Sequence, residues 1–318
     1  MRRRRPGRPF KILFRFLLIN IAFFIVTSPF VVLYGPFANL KKNALEAVAT
    51  SMHGKYLNYF ISKQEIDKLL ADSFGGAVAE KFLKFRIVHN PSIKLVQIDG
   101  ARFKGYLLEV KDPSRIKIGL AKDLGTNGQT TSEIAREYDA VAAVNAGGFI
   151  DPSGTGTGRL PVGVIIHDGN FVDGGNVRGY VPLVGLTNQG DLVTGSYTVG
   201  QMKRLGVTEG ISFYPSLIVN GEKQITHGDG GWGVGPRTAI GQRKDGTILL
   251  LVIDGRQPGY SIGATLLDVQ NILYKNGAYV AANLDGGSSA TMYYNGKVIN
   301  RPADLLGERS IPTAIIVQ

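Results

Sequence analysis

Five short polar segments recur along this chain, each beside a glycine or at the end of an apolar run. Asn145 stands before Gly147-Gly148, and Arg237-Thr238 opens the apolar stretch Ala239-Ile240. Asp254-Gly255-Arg256 closes the run 249–253, Asp285-Gly286-Gly287-Ser288-Ser289 follows the run 279–284, and Glu308-Arg309 comes just before the last apolar segment. A carboxylate at the end of an apolar strand is partly desolvated, which raises its pKa and suits it to proton transfer. Glycines after it let backbone N–H groups converge on an anion. Singly, each segment reads as a plain turn. As a series they read as one site built from strand ends.

Familiar catalytic signatures do not compete with that reading. Gly154-x-Gly156-x-Gly158 fails as a dinucleotide fingerprint because Arg159 stands where the third glycine belongs, and no Walker loop, paired-histidine zinc helix or Gly-x-Ser-x-Gly elbow occurs. With no cysteine there is no disulfide scaffold, thiolate zinc site or cysteine nucleophile, and four histidines leave little for a histidine-built metal centre. The net charge of +11 is concentrated at the start: Arg2, Arg3, Arg4, Arg5, Arg8, Lys11 and Arg15 contribute 7, so 11 − 7 leaves +4 for the remainder. Without a basic stripe on the body, nucleic acid is not an expected partner.

The elements that must hold the five segments follow from local patterns. Apolar residues at 44% and charged residues at 19% over 318 positions allow a packed core and more than one average domain. Asp168-Gly169, Asn220-Gly221, Asp245-Gly246 and Asn295-Gly296 each sit between apolar or β-branched runs and predict hairpins. Two stretches predict strand–helix–strand units. Strand 116–120 leads to a helix opened by Thr130-x-x-Glu133 and then to strand 140–144; strand 248–253 leads to a helix opened by Thr265-x-x-Asp268, ended near Gly277, and to strand 279–284. The expected fold is α+β: a mixed, mostly antiparallel sheet core with two such units. Their ends match without a gap, Val141-Ala142-Ala143-Val144-Asn145-Ala146-Gly147-Gly148 against Val280-Ala281-Ala282-Asn283-Leu284-Asp285-Gly286-Gly287. Diverged halves of a pseudo-symmetric core would place both Gly-Gly turns at one end of a sheet.

Ahead of this body, residues 16–33 carry no charge and follow the arginine cluster. At a rise of about 1.5 Å per residue they nearly span a hydrocarbon layer of roughly 30 Å. The expected organisation is a basic cytoplasmic tail (1–9), a transmembrane signal anchor (10–35), a helical stalk or packing segment (36–91) and a main domain (92–318) lying outside the membrane.

The segments 144–149, 236–241, 252–256, 283–292 and 308–314 together resemble the phosphodiester glycosidase family, over roughly 92–318, with Asp285-Gly286-Gly287-Ser288-Ser289 the most specific of them. Bacterial members with an N-terminal anchor are often labelled exopolysaccharide biosynthesis proteins, so the resemblance implies a cell-surface enzyme acting on a phosphorylated glycan. It implies hydrolysis of a sugar-1-phosphodiester between the anomeric carbon and phosphate oxygen. Such a reaction needs a carboxylate near an oxocarbenium-like transition state and a planar guanidinium on the phosphate. On this resemblance Asp285 is the first catalytic candidate, with Asp254 and Glu308 as the second carboxylate. Arg237 is the phosphate ligand, supported by Arg256 or Arg309. Asn145 and Ser288 bind sugar or phosphate, Gly147, Gly148, Gly286 and Gly287 allow close approach, and Trp232 forms a wall. No cofactor is expected; Asp254, Asp285 and Glu308 are hard oxygen ligands suited to Ca²⁺ or Mg²⁺, but no continuous acidic loop is present. Two other functions fit the same residues: a non-catalytic glycan-binding protein using Trp232, Tyr260, Tyr293 and Tyr294, and a phosphodiesterase cleaving P–O.

Overall fold

The computed structural model describes residues 8–35, 85, 89–150, 157–304 and 306–318. The chain divides into two units, Met1–Leu69 and Leu70–Gln318. In the first, α1 (Arg8–Tyr34) is a 27-residue helix. Its described side chains are mostly apolar and open to the surroundings, among them Ile12, Phe14, Phe16, Ile19, Phe23 and Phe24. Judged on its described side chains alone, no helix is long and apolar enough to cross a membrane. The expected stalk lies outside the described residues except at its very end.

In the second unit, β1 (Ile93–Asp99) and β2 (Lys104–Val110) pair, followed by β3 (Ile116–Leu120), α2 (Thr131–Glu137) and β4 (Ala142–Asn145). Two short strands, β5 (Phe149–Ile150) and β6 (Leu160–Pro161), pair with each other. Then come β7 (Ile165–His167), β8 (Asn170–Asp173), β9 (Val181–Thr187), β10 (Leu192–Tyr197), α3 (Val199–Arg204) and β11 (Val207–Ile211). The chain continues through β12 (Ser216–Val219), β13 (Glu222–Lys223), β14 (Arg237–Arg243), β15 (Ile248–Ile253), α4 (Leu266–Lys275) and β16 (Ala278–Leu284). It closes with β17 (Met292–Tyr294), β18 (Lys297–Val298) and β19 (Thr313–Val317). The three larger sheets run β1-β2-β15-β14-β16-β12-β13, β10-β9-β11-β7-β8 and β18-β17-β4-β19-β3. Their described ladders are antiparallel, and the class is α+β.

The local signals hold. Thr130 and Thr265 each close a full capping box, with Glu133 and Asp268, and so start α2 and α4. Asp168-Gly169, Asn220-Gly221 and Asn295-Gly296 are two-residue hairpin loops with positive φ at both positions, the left-handed pair that such a turn demands. Asp245-Gly246 lies in the longer β14–β15 loop. Each sheet buries its outer face under one helix. Leu249, Leu251 and Ile253 meet Leu266, Val269 and Leu273 of α4, while Ala143, Ala314 and Ile316 meet Ile134 and Ala135 of α2. The inner faces share one core that includes Leu250, Val252, Ile240, Val144, Ile315, Ile211 and Val184.

Two sheets repeat one plan. In one, α4 carries the chain from β15 to β16, leaving β14 between them; in the other, α2 carries it from β3 to β4, leaving β19 between them. Each adds an Asn-Gly hairpin beyond the second strand, β12–β13 next to β16 and β17–β18 next to β4. The register is one residue off the gapless comparison: Ala239 faces Asn283 and Ala314 faces Asn145. Ile240 and Ile315 both turn to the inner core, and Ala239 and Ala314 both to the outer faces, so Asn145 is the structural counterpart of Asn283 and Gly147 that of Asp285. Both Gly-Gly turns lie at the same end, where the Asp285 N–H donates to the Ala146 carbonyl at 3.0 Å. The pseudo-symmetric halves expected from sequence are therefore present.

Candidate active site

With β14 between β15 and β16, the start of one strand and the ends of two others meet at one edge. Arg237 faces Ile253 and Thr238 faces Leu284, so one residue further along each ladder Asp254 comes level with Pro236 and Asp285 with Arg237, about one strand spacing (~4.8 Å) across. Glycine is required on both sides of that proline. A Cβ on Gly255 would lie 2.6 Å from the Pro236 nitrogen, and one on Gly286 would lie 2.8 Å from the Pro236 carbonyl oxygen.

Asp285 is half-buried. Burial pushes its carboxyl up to about 6, while hydrogen bonding from Ser289, the charge of Arg309 and the Gly286 N–H pull the other way. Arg256 stands on the open side. It is exposed with a left-handed φ of 59°, a strained setting for an arginine. That turn brings its Nη1 to 3.5 Å from Ser288 Oγ. Gly287 has φ +62°, and a Cβ there would sit 3.2 Å from Arg256 Nη2. Arg309 lies over the Phe149 ring at 4.9 Å. Arg256, Ser288 and Arg309 thus form a cationic, hydroxyl-bearing rim around the carboxylate.

Beside this rim stand three aromatic side chains. Phe213 and Tyr214 are stacked at 5.8 Å, and Trp232 meets them at 6.0 and 5.5 Å. The cluster adjoins the first Gly-Gly turn, since a Cβ on Gly148 would lie 3.1 Å from Phe213. Asn283 ties it to β16 by donating to the Tyr214 carbonyl at 3.1 Å. Trp232 is where sequence reading placed a wall; Phe213, Tyr214 and Asn283 were missed, because an aromatic pair at a strand boundary looks like ordinary core.

Several nominated residues are bonded within the protein. Arg237 is buried, and two nitrogens of its guanidinium bind backbone carbonyls: Nε donates to Ala264 at 3.0 Å, and Nη2 to Trp232 at 2.9 Å and Gly233 at 2.6 Å. Desolvation, with Arg256 nearby, lowers its pKa to about 10. Through Nε and Nη2, Arg237 is a strut for the loop that carries Trp232. Asp254 is 1% exposed. It accepts from Asn300 Nδ2 and the Arg301 N–H, both at 2.9 Å, and from the Tyr260 hydroxyl at 3.0 Å. Burial raises its pKa and its charge helps push Tyr260 up to about 12, but its lone pairs face the interior and fasten the loop behind Arg256.

Glu308 is turned to α2, where it accepts from the Ser132 N–H at 2.9 Å and the Ser132 hydroxyl at 2.5 Å. It neutralises a helix start, as a carboxylate does there. Asn145 is fully buried and bonded within the protein. The glycine N–H groups are also used internally, that of Gly147 by Thr313 Oγ1 and that of Gly287 by the Pro236 carbonyl. These glycines permit close approach; those two N–H groups do not form an anion cradle.

Among the described residues Asp254, Asp285 and Glu308 do not form a metal-ligand group. The histidine–carboxylate group that does, His167, Asp168 and Glu209, borders a cavity of about 560 Å³ at the start of β3, away from this edge. There Lys117 already lies 2.6 Å from Asp168 and 3.1 Å from Glu209.

A carboxylate, two guanidinium groups and an aromatic wall at one sheet edge describe a site of the glycan- and phosphate-handling kind. Residues 138–318, more than half of the chain, match the profile of the phosphodiester glycosidase family, and the chain belongs to that family. It is 29% identical over 192 residues to human N-acetylglucosamine-1-phosphodiester alpha-N-acetylglucosaminidase, covering 55% of this chain and 36% of that protein. An uncharacterized prophage-derived protein of Bacillus subtilis (strain 168) is 38% identical over 81 residues, covering 26% of this chain and 12% of its own length. The chain thus spans little more than a third, or less, of these relatives. In structure it resembles the zebrafish N-acetylglucosamine-1-phosphodiester alpha-N-acetylglucosaminidase catalytic domain auto-inhibited by pro-peptide, with a TM-score of 0.60 and 23% identity, over 74% of this chain and 86% of that one.

The strut has a direct optical test, because Trp232 is the single tryptophan. Arg237→Lys keeps the charge but cannot reach three carbonyls at once. Its emission is expected to shift to the red as the loop opens to water; an unchanged spectrum would show that the loop does not depend on the guanidinium.

Proposed function

We propose that this protein hydrolyses a sugar-1-phosphodiester, breaking the bond between the anomeric carbon and the phosphate oxygen and releasing free sugar and a phosphomonoester. The observation that carries the reading is the Asp285 carboxyl, half-buried and shifted to about 6 at a cationic rim, in a chain of the phosphodiester glycosidase family. In this reading Asp285 acts at the anomeric carbon, as nucleophile or as base toward water. Arg256, Ser288 and Arg309 hold the phosphate, whose ester is already a good leaving group. The sugar packs on Phe213, Tyr214 and Trp232, whose faces suit the apolar side of a pyranose. The charge work falls to arginines, and no metal ion or other cofactor is given a role.

The natural substrate is proposed to be a cell-surface glycan or exopolysaccharide, reached from the outer side of a membrane. The uncharged sequence 16–33, the preceding basic cluster and the length of α1, on the order of 40 Å, support an anchor with its N-terminus in the cytoplasm. Deleting residues 1–35 is expected to move the protein from the membrane fraction to the soluble one. Retention of the truncated chain on membranes would refute the anchor.

Asp285 must be ionised to act, so the rate should fall as pH drops through about 6. The sign for stability is the reverse. A carboxyl that titrates higher in the folded state costs the fold nothing below its unfolded pKa, and the cost is complete above about 6. Asp285→Asn should therefore lower turnover of a sugar-1-phosphodiester at least about a hundredfold, while raising Tm at pH 7.5 with a gain that vanishes toward pH 4. Wild-type turnover in this variant would remove Asp285 from the chemistry.

A further inference from the structure

Asn145 ends β4 with no exposed surface, in the sheet opposite the one that carries Asp285. Its Oδ1 accepts from the Thr238 hydroxyl at 2.7 Å and from the Thr291 N–H at 3.2 Å. A backbone N–H can only donate, so the atom facing Thr291 is the oxygen and the amide nitrogen is left for the other side. There Nδ2 donates to the Asp285 carbonyl at 2.5 Å. The next residue completes the grip, since the Ala146 carbonyl accepts the Asp285 N–H at 3.0 Å. Both backbone polar groups of Asp285 are therefore held by two consecutive residues of one strand. The flanking residues on the Asp285 side are Leu284 and Gly286, and glycine resists rotation least, so the restraint has to come from across the sheets.

The pseudo-symmetry gives this grip its meaning. By strand register Asn145, which faces Ala314, is the counterpart of Asn283, which faces Ala239, and Gly147 is the counterpart of Asp285. Both halves keep the asparagine, but one follows it two residues on with a carboxylate and the other with a glycine, and Asn145 donates to the Asp285 carbonyl while Asn283 donates to that of Tyr214. We propose that Asn145 is the positioning residue of Asp285, and that the two diverged halves divide the work: one presents the carboxylate, and the other holds the peptide unit that aims it. Asn145 touches no substrate. Its effect is on the direction of the Asp285 side chain, and misplacement by about 1 Å can cost on the order of a hundredfold in rate.

This inference rests on Asp285 being the reacting carboxylate, so Asp285→Asn is the reference. The test compares kcat, KM and the pH–rate profile of Asn145→Ala with those of the wild-type protein, per folded molecule as determined from thermal melts. Expected are a kcat at least about tenfold lower, a KM within about twofold, and an acid limb whose midpoint moves because the carboxyl leaves its desolvated position. A loss of stability alone would scale the profile without moving its midpoint. If Asn145→Ala does not fold, Thr238→Val carries the test: it keeps the volume, removes one of the two donors that orient the amide, and should show the same midpoint shift with a smaller fall in kcat. Unchanged kcat, or a fall with an unmoved acid limb, in a protein whose Asp285→Asn variant is inactive, overturns the positioning role alone. An active Asp285→Asn variant sinks the reading of Asp285 itself, and this inference with it.

Discussion

The site depends on the desolvation of a single charge. Asp285 lies where an apolar strand runs out, and removal of water from its carboxyl is opposed by Ser289, the Gly286 N–H and the field of Arg309. The balance leaves a group that is ionised at neutral pH but incompletely solvated, which is the state in which a carboxylate stabilises developing positive charge most strongly. Too little stabilisation and the group would be a neutral acid. With full hydration it would be an inert surface aspartate.

Around that balance the surrounding structure is fixed mainly by backbone. Pro236 is sandwiched by Gly255 and Gly286, which brings three strand termini to van der Waals contact and leaves no room for a Cβ. Arg237, Asp254 and Glu308 are the charged residues that hold loops: the first grips the carbonyls of the Trp232 turn, the second the segment behind Arg256, the third the start of α2. The charges left at the rim are Arg256 and Arg309. In the proposed reading, chemistry and scaffolding fall to different members of the same set of motifs, and two of the scaffold members, Arg237 and Asp254, are buried.

That division also sets what could be read from the sequence. Turns and helix starts depend on residues two to four apart, so Asn220-Gly221, Asn295-Gly296 and the capping boxes at Thr130 and Thr265 were legible, and with them the two strand–helix–strand units. The strand ends that converge were legible as a set. Their individual roles were not, because a role is fixed by partners far along the chain: Asn145 meets Asp285 across 140 residues, and Glu308 meets Ser132 across 176. An arginine after a proline and before a β-strand looks equally fit for a phosphate or for three carbonyls. Only burial separates the two. Phe213 and Tyr214 gave no signal beyond their own apolarity.

The chemical core of the account is that water, or the enzyme carboxylate ahead of it, attacks carbon while guanidinium groups hold the departing phosphate. Hydrolysis of a defined sugar-1-phosphodiester in oxygen-18 water tests this directly, with the products separated and weighed by mass spectrometry. The account predicts label in the anomeric hydroxyl of the released sugar and none in the phosphomonoester. Label in the phosphate would mean that phosphorus is attacked, and the assignment of Asp285 to the anomeric centre would be wrong.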